Sequence, residues 1–320
     1  MERLGRNLIL ALALGVAVYL VLAVLSDFGE LREALAGFDY ALIPAILGLV
    51  ALSYVGRFLR WLYYLRLLKV SVPLGTNAAI FAAGLSMTIS PGKLGEVVKS
   101  VFVRQSSGAP ISRTAPAVIA ERATDGTGMV AWGFLGAFAL GLPPATMLVF
   151  LAVAAFGIAV LRSKKLSLVA ERVLLKIPFL NRFAPHLHDF HASSNELLAA
   201  RPLIAGTAIS FLSWGLECLG VYLCAVALGA DLDFLLVVFV FAVSSLVGVL
   251  SMLPGGIGAV EAGLAGQFVA VAGLPGGLAV ALTFVIRLAT LWFAALVGVA
   301  GLLIVRSLLG DAPLETGPEA

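Results

Sequence analysis

Eleven ionisable side chains stand inside long apolar stretches of this sequence: Arg57, Arg60, Lys93, Glu96, Lys99, Glu121, Arg122, Asp125, Glu217, Glu261 and Arg287. Each costs about 2.5–3.5 kcal/mol at the centre of a bilayer, even on lenient insertion scales. Six are basic and five acidic, so they must face a polar cavity or one another. Arg57 and Arg60 are three apart and share a helix face near the inner end of their run. They either snorkel to the membrane surface or draw in an anionic headgroup, because a guanidinium fork donates two parallel hydrogen bonds to phosphate. Glu121 and Asp125 are four apart, with Arg122 beside them. That is an acidic helix face carrying a cation, read either as a structural ion pair or as a site of ion or proton coupling. Glu217 stands midway along its own run and is either matched to an arginine or a third coupling candidate.

The elements that hold these groups follow from composition. Hydrophobic residues make up 61% of the chain and charged residues 12%, with a mean hydropathy of +1.07. Soluble domains carry about 25% charged residues. The expected fold is therefore an all-α polytopic membrane protein, a single membrane domain over 1–310 with a short tail at 311–320. Apolar runs fall at 8–25, 41–64, 77–91, 93–104, 114–140, 145–161, 203–228, 234–253, 255–272 and 277–305. None alternates with period two, so they read as helices. The first, behind Arg3 and Arg6, is long enough to span and has no cleavage signal, so it reads as a retained helix.

Two breaks interrupt the pattern. Pro91, Gly92 and Gly95 separate one pair of short arms; Pro254, Gly255, Gly256 and Gly258 separate another. Proline removes a backbone donor and glycine relaxes the helix. Each pair reads as a re-entrant hairpin, leaving six full spans, although 234–253 is also long enough to cross. Basic residues concentrate in 65–76, 105–113 and 162–202, whereas 26–40 and 229–233 are acidic. By the positive-inside rule both termini are cytoplasmic in a cell (inner) membrane. Within 162–202, Leu166, Val169, Val173, Ile177 and Phe179 among basic residues predict an amphipathic surface helix.

The break is repeated. Glu96 precedes Arg122 by 26 residues, and Glu261 precedes Arg287 by the same distance. The halves, about 41–140 and 203–305, face opposite ways on this topology, as in transporters built from inverted repeats with broken helices at mid-membrane. The half-helix starts after each break expose backbone N–H groups of the kind that bind phosphate. Glu96 and Glu261 lie in those first turns, where the helix dipole favours a carboxylate. The expected centre is a wet, cationic chamber.

Other chemistry finds little support. His186, His188 and His191 lie in a proline-broken loop with no cysteine nearby, so no metal or cofactor is expected. Cys218 and Cys224, six apart in one run, do not form a disulfide. No nucleophile with its base and no nucleotide loop is legible, so the chain reads as a carrier and not as an enzyme, with no nucleic-acid partner. A homo-oligomer is compatible with the plan.

Arg57-x-x-Arg60-Trp61, Ser90-Pro91-Gly92-Lys93-Leu94-Gly95-Glu96, Glu121-Arg122-x-x-Asp125 and Leu253-Pro254-Gly255-Gly256-Ile257-Gly258-x-x-Glu261 together resemble the lysylphosphatidylglycerol synthetase transmembrane (flippase-like) family over residues 5–305. The resemblance implies movement of an anionic or phosphate-bearing lipid, aminoacylated or glycosylated, between leaflets. The residues expected to handle the substrate are Arg57, Arg60, Lys93, Glu96, Arg122, Glu261 and Arg287. Lys93 stands where many members carry arginine, and lysine lacks the bidentate fork. Bifunctional members carry a soluble aminoacyltransferase domain after the membrane part. Here the sequence ends at Ala320, so lysyl transfer is not implied. The alternatives are an ion- or proton-coupled carrier of a small solute and an intramembrane lipid-modifying enzyme.

Overall fold

The computed structural model describes residues 28–90, 95–162 and 187–310, together with positions 17, 18, 20, 21 and 24. Regular structure among them is helical throughout. We number the helices α1 (Phe28–Ala36), α2 (Ile43–Leu67), α3 (Leu74–Leu85), α4 (Val98–Ser107), α5 (Ile111–Ala139), α6 (Pro144–Arg162), α7 (Leu187–Leu197), α8 (Ala200–Ala227), α9 (Phe234–Leu250), α10 (Ala259–Ala270), α11 (Gly276–Arg287) and α12 (Phe293–Leu309). A wide π-turn, Leu288–Trp292, joins α11 to α12 without a break. Among the described residues, three stretches are long and apolar enough to cross a membrane: Tyr40–Leu67, Ala200–Ala227 and Gly276–Leu309. At 29 residues α5 is equally long, but it carries Glu121, Arg122 and Asp125.

Local chemistry sets the helix ends. Pro73, Pro110 and Pro275 occupy the N-caps of α3, α5 and α11, where a missing backbone donor costs nothing. The Asp233 carboxylate accepts from the Leu235 and Leu236 amides and starts α9. Gly108, with φ of 73°, ends α4.

The two expected breaks are real interruptions between short arms. A 3-10 turn, Ser86–Ile89, follows α3. Pro91, Gly92 and Lys93 lie outside the described residues, and a second short turn at 95–97 leads into α4. In the other half, Pro254–Gly256 forms a 3-10 turn between α9 and α10. There Gly255, Gly256 and Gly258 have φ of 61°, 64° and 92°, a region closed to most side chains. The two turns, Ser86–Ile89 and Pro254–Gly256, touch each other. The amphipathic segment expected at 166–179, like His186, falls outside the described residues.

Helices pack where their side chains are smallest, as expected where lipid supplies no hydrophobic force between spans. Along α2 and α8, Gly220 meets Val50, Gly56 meets Ser213 and Gly206 meets Tyr64. The last span packs on α3, with Gly298 and Gly301 against the backbone of residues 82–86; α5 packs on α9, with Gly136 against Leu235 and Phe239. Outward faces are apolar: Leu52, Val55 and Leu59 on α2, Ile204, Leu212 and Leu219 on α8, and Leu296, Leu303 and Ile304 on α12 are all exposed.

A Cβ at Gly298 would land on the backbone nitrogen of Ser86, whereas one at Gly266 meets nothing within 4 Å. Gly298→Ala is therefore expected to destabilise the fold by about 1–3 kcal/mol. Gly266→Ala, in a helix interior, is expected to leave stability unchanged or raise it by up to ~1 kcal/mol. Thermal unfolding of the purified protein in detergent checks both.

Candidate functional site

Nine of the eleven charged side chains singled out by the sequence line one cavity of about 230 Å³, and Lys93 lies outside the described residues. Arg57 and Arg60 enter it from α2, Lys99 from α4, Glu121, Arg122 and Asp125 from α5, Glu217 from α8 and Arg287 from the end of α11, and Glu96 lines it just ahead of α4. Glu261 stands behind the wall and holds Arg287.

The most heavily engaged group is Asp125. Its Oδ1 accepts from Arg60 Nη1 at 2.7 Å, Ser210 Oγ at 2.8 Å and Trp214 Nε1 at 3.3 Å. Its Oδ2 faces Arg122 Nη2 at 3.0 Å, a charge contact without hydrogen-bond alignment. Arg60 also donates to Thr124 Oγ1 at 3.0 Å. One carboxylate thus ties α2, α5 and α8 together. Arg60 is fully buried, about 10 Å short of the end of α2. The alternative that Arg57 and Arg60 snorkel to the membrane surface therefore fails: their counter-charges lie inside the bundle.

Lys99 is the second junction. Its ammonium bonds to Glu121, lies 3.8 Å from Glu96 and sits 4.5 Å from the Trp61 ring centre and 5.4 Å from that of Phe81. Glu96 also reaches Arg122 Nη2 at 3.1 Å. The acidic face expected of Glu121 and Asp125 is in effect divided, one member going to α4 and the other to α2.

The second half repeats the Glu–Arg pairing. Arg287 Nε donates to Glu261 Oε1 at 2.7 Å, and its Nη2 donates to the Gly255 carbonyl at 2.9 Å. The other carboxylate oxygen of Glu261 accepts the Gly258 amide at 2.7 Å. Sequence predicted free N–H groups at this half-helix start, but the helix's own third residue occupies one of them. Both pairs separated by 26 residues close in space, Glu96 with Arg122 and Glu261 with Arg287.

Glu217 pairs with Arg57 and accepts weakly from Ser53 Oγ at 3.4 Å. The Arg57 guanidinium lies 4.4 Å from the Trp214 ring centre and 5.9 Å from that of Tyr54. The Nε atoms of Arg57, Arg60 and Arg122 and the Nη2 of Arg60 have no hydrogen-bond partner among the described residues. Unused buried donors of this kind suit an anion or water. Among the described residues, five cations here face five carboxylates. Each cation described in the expected cationic chamber thus has a carboxylate partner, since a buried cation without a counter-charge is too costly to fold around; Lys93, the sixth cation expected there, lies outside the described residues.

Sequence reasoning gave Lys99 no role and overlooked Trp214 and Ser210. Lys99 follows Glu96 by one helical turn, and Trp214 and Ser210 precede Glu217 by one and two turns, so helical spacing carried a signal for all three.

Residues 9–298 match the family described as Lysylphosphatidylglycerol synthase TM region. The chain belongs to that family. A UPF0104 membrane protein of Methanothermobacter thermautotrophicus is 27% identical over 321 residues, which cover 91% of this chain and 93% of that protein. A UPF0104 membrane protein of Pyrococcus horikoshii is 26% identical over 329 residues, covering 93% and 96% respectively. The resemblance drawn from the motifs is thereby met, and this family member, like those relatives, is a multi-pass membrane protein.

Removing Asp125 strands Arg60 in the interior. Asp125→Ala is expected to cost about 3–5 kcal/mol, whereas the Arg60→Met/Asp125→Leu double variant should recover most of that loss. Detergent thermal unfolding of the single and double variants distinguishes the two.

Proposed function

We propose that this protein moves a phosphate-bearing lipid between the leaflets of the membrane. One observation carries the reading: a charged cavity interior meets an exposed apolar rim. Val249 and Leu253 line the same cavity as the arginines, yet are 51% and 42% exposed. A headgroup can lodge among the charges while its acyl chains remain in the bilayer. A small hydrophilic solute would have to cross that apolar rim, so the geometry favours a lipid over the solute-carrier alternative.

The architecture that fits is an inverted repeat of two halves, with six full spans and two re-entrant hairpins. Three features support it. The hairpin turns meet each other. The span after each hairpin packs on the first arm of the opposite hairpin, α5 on α9 and α12 on α3. The offset that carries Glu96 onto Glu261 and Arg122 onto Arg287 also carries Gly136 onto Gly301, and both glycines serve those crossed contacts. Such halves rock against each other and open the central site alternately to either leaflet. Both termini then lie on the cytoplasmic side.

The phosphate is received by Arg122, whose side chain is 31% exposed, and by Arg57, with Arg287 deeper in the wall. Each offers a planar fork to phosphate oxygens. Every carboxylate described at the site already engages a cation, an arrangement for holding charge and not for general acid–base chemistry. The protein therefore acts as a carrier and not as an enzyme.

In vesicles holding the purified protein, a fluorescent phosphatidylglycerol should exchange leaflets faster than in empty vesicles. Arg122→Ala and Arg287→Ala should each slow that exchange by about tenfold or more, the scale of one charge-assisted hydrogen bond. Variants as fast as the parent protein would remove the phosphate role from these arginines.

A further inference from the structure

The cations at the site are not equally committed. Arg60 is shared between Asp125 and Thr124, and Asp125 is held by two further donors from α8 and by a charge contact with Arg122. Lys99 is enclosed by two carboxylates and two aromatic rings. Arg287 is fixed by a carboxylate that also caps a helix, and by a carbonyl. Arg122 already presents part of its side chain to the outside.

Arg57 differs from all of these. Its guanidinium lies over the Trp214 ring, and its one ion pair among the described residues is with Glu217. Glu217 in turn pairs with no other cation, and its second contact, from Ser53, is at 3.4 Å. The remaining carboxylates have stronger ties: Asp125 serves two cations, Glu96 two, Glu261 a cation and a backbone amide, and Glu121 is fully buried beneath Lys99. Both Arg57 and Glu217 line the cavity, and the arginine side chain is 12% exposed.

We infer that Glu217 is an internal stand-in for the substrate's phosphate. In the unloaded protein its carboxylate holds one arm of the Arg57 fork, Nη2, and leaves Nε without a partner among the described residues. On loading, a phosphate group displaces it, while Trp214 keeps the guanidinium plane in place. The exchange has a clear purpose in a carrier. An Arg57 fork without a partner in a low-dielectric site would hold phosphate too firmly to release it. With Glu217 competing, departure of the phosphate leaves no unpaired buried cation. Glu217 thus weakens binding and speeds release, and it sets the preference for ligands that carry phosphate oxygens. This inference rests on the lipid-carrier reading and identifies the residue that tunes it.

The test is a binding titration of purified protein in nanodiscs made from neutral lipid, with short-chain phosphatidylglycerol, with diacylglycerol and with inorganic phosphate as separate probes. Glu217→Gln should bind phosphatidylglycerol about tenfold more tightly than the parent and melt at a lower temperature until that lipid is added. Adding Arg57→Ala to Glu217→Gln should abolish the gain, and diacylglycerol should bind both proteins alike. Glu217→Asp, whose shorter arm reaches Arg57 less well, should show a smaller gain of the same sign and serves if the glutamine variant does not fold. Unchanged or weaker phosphatidylglycerol binding in a folded variant overturns the inference. A gain for inorganic phosphate without one for the lipid assigns the fork to a free anion and overturns the lipid form. If the parent protein moves labelled lipid in vesicles while Glu217→Gln shows no gain, only the stand-in role fails. If the parent moves no lipid, the carrier reading itself fails.

Discussion

Charge that enters a bilayer must bring its neutraliser with it, and this requirement organises the whole molecule. A carboxylate or guanidinium loses its hydration inside the bundle and recovers the loss only through a well-placed partner. Asp125 shows the extreme case, drawing Arg60, Arg122, Ser210 and Trp214 to one point. Those residues lie on three helices, so the position of each helix is set by where its polar atoms must go. The cavity is the consequence: large charged side chains joined in networks cannot fill space as hydrocarbon does.

Small residues make that convergence possible. Gly56, Gly206 and Gly220 let α2 and α8 approach closely enough for Arg57 to reach Glu217. Gly84 stands beside the Lys99 stem, and a Cβ there would collide with it. The π-turn after Arg287 widens the last span at the level of the site, and there Tyr54 donates to the Thr290 carbonyl at 3.3 Å. Such local widening is a recurring feature of helices near functional sites. Packing and electrostatics therefore depend on each other: the glycines bring the helices close, and the ion pairs make closeness favourable.

How much of this the sequence disclosed depends on distance along the chain. Helix positions and both interruptions were legible because hydrophobic runs, Pro91, Pro254 and their glycines act locally. The Glu96–Arg122 and Glu261–Arg287 pairs were legible because the same spacing occurs twice. Arg57 with Glu217, separated by 160 residues, and Arg60 with Asp125, separated by 65, were not. No local rule selects which of several buried carboxylates an arginine takes; only the packing of α2 against α5 and α8 does. The near-balance of charge was legible as a count, but the pairing was not, since single groups were weighed before their partners were known. Lys99 was passed over although it stands one turn after Glu96; the two rings around its ammonium, Trp61 and Phe81, were beyond the reach of local spacing.

The Glu–Arg spacing is repeated along the chain, but the rest of the charge is not. The offset that superposes the two Glu–Arg pairs carries Lys99 onto Leu264, Glu121 onto Ile286 and Asp125 onto Thr290. Only Glu217, Glu261 and Arg287 come from the second half, so most of the charged wall belongs to the first. Under the proposed carrier reading, most of the charged wall therefore stays with one half of the molecule. The halves are joined at the site by the Arg57–Glu217 ion pair and by the Ser210 and Trp214 bonds to Asp125, so a rocking motion between them has to break or carry these contacts.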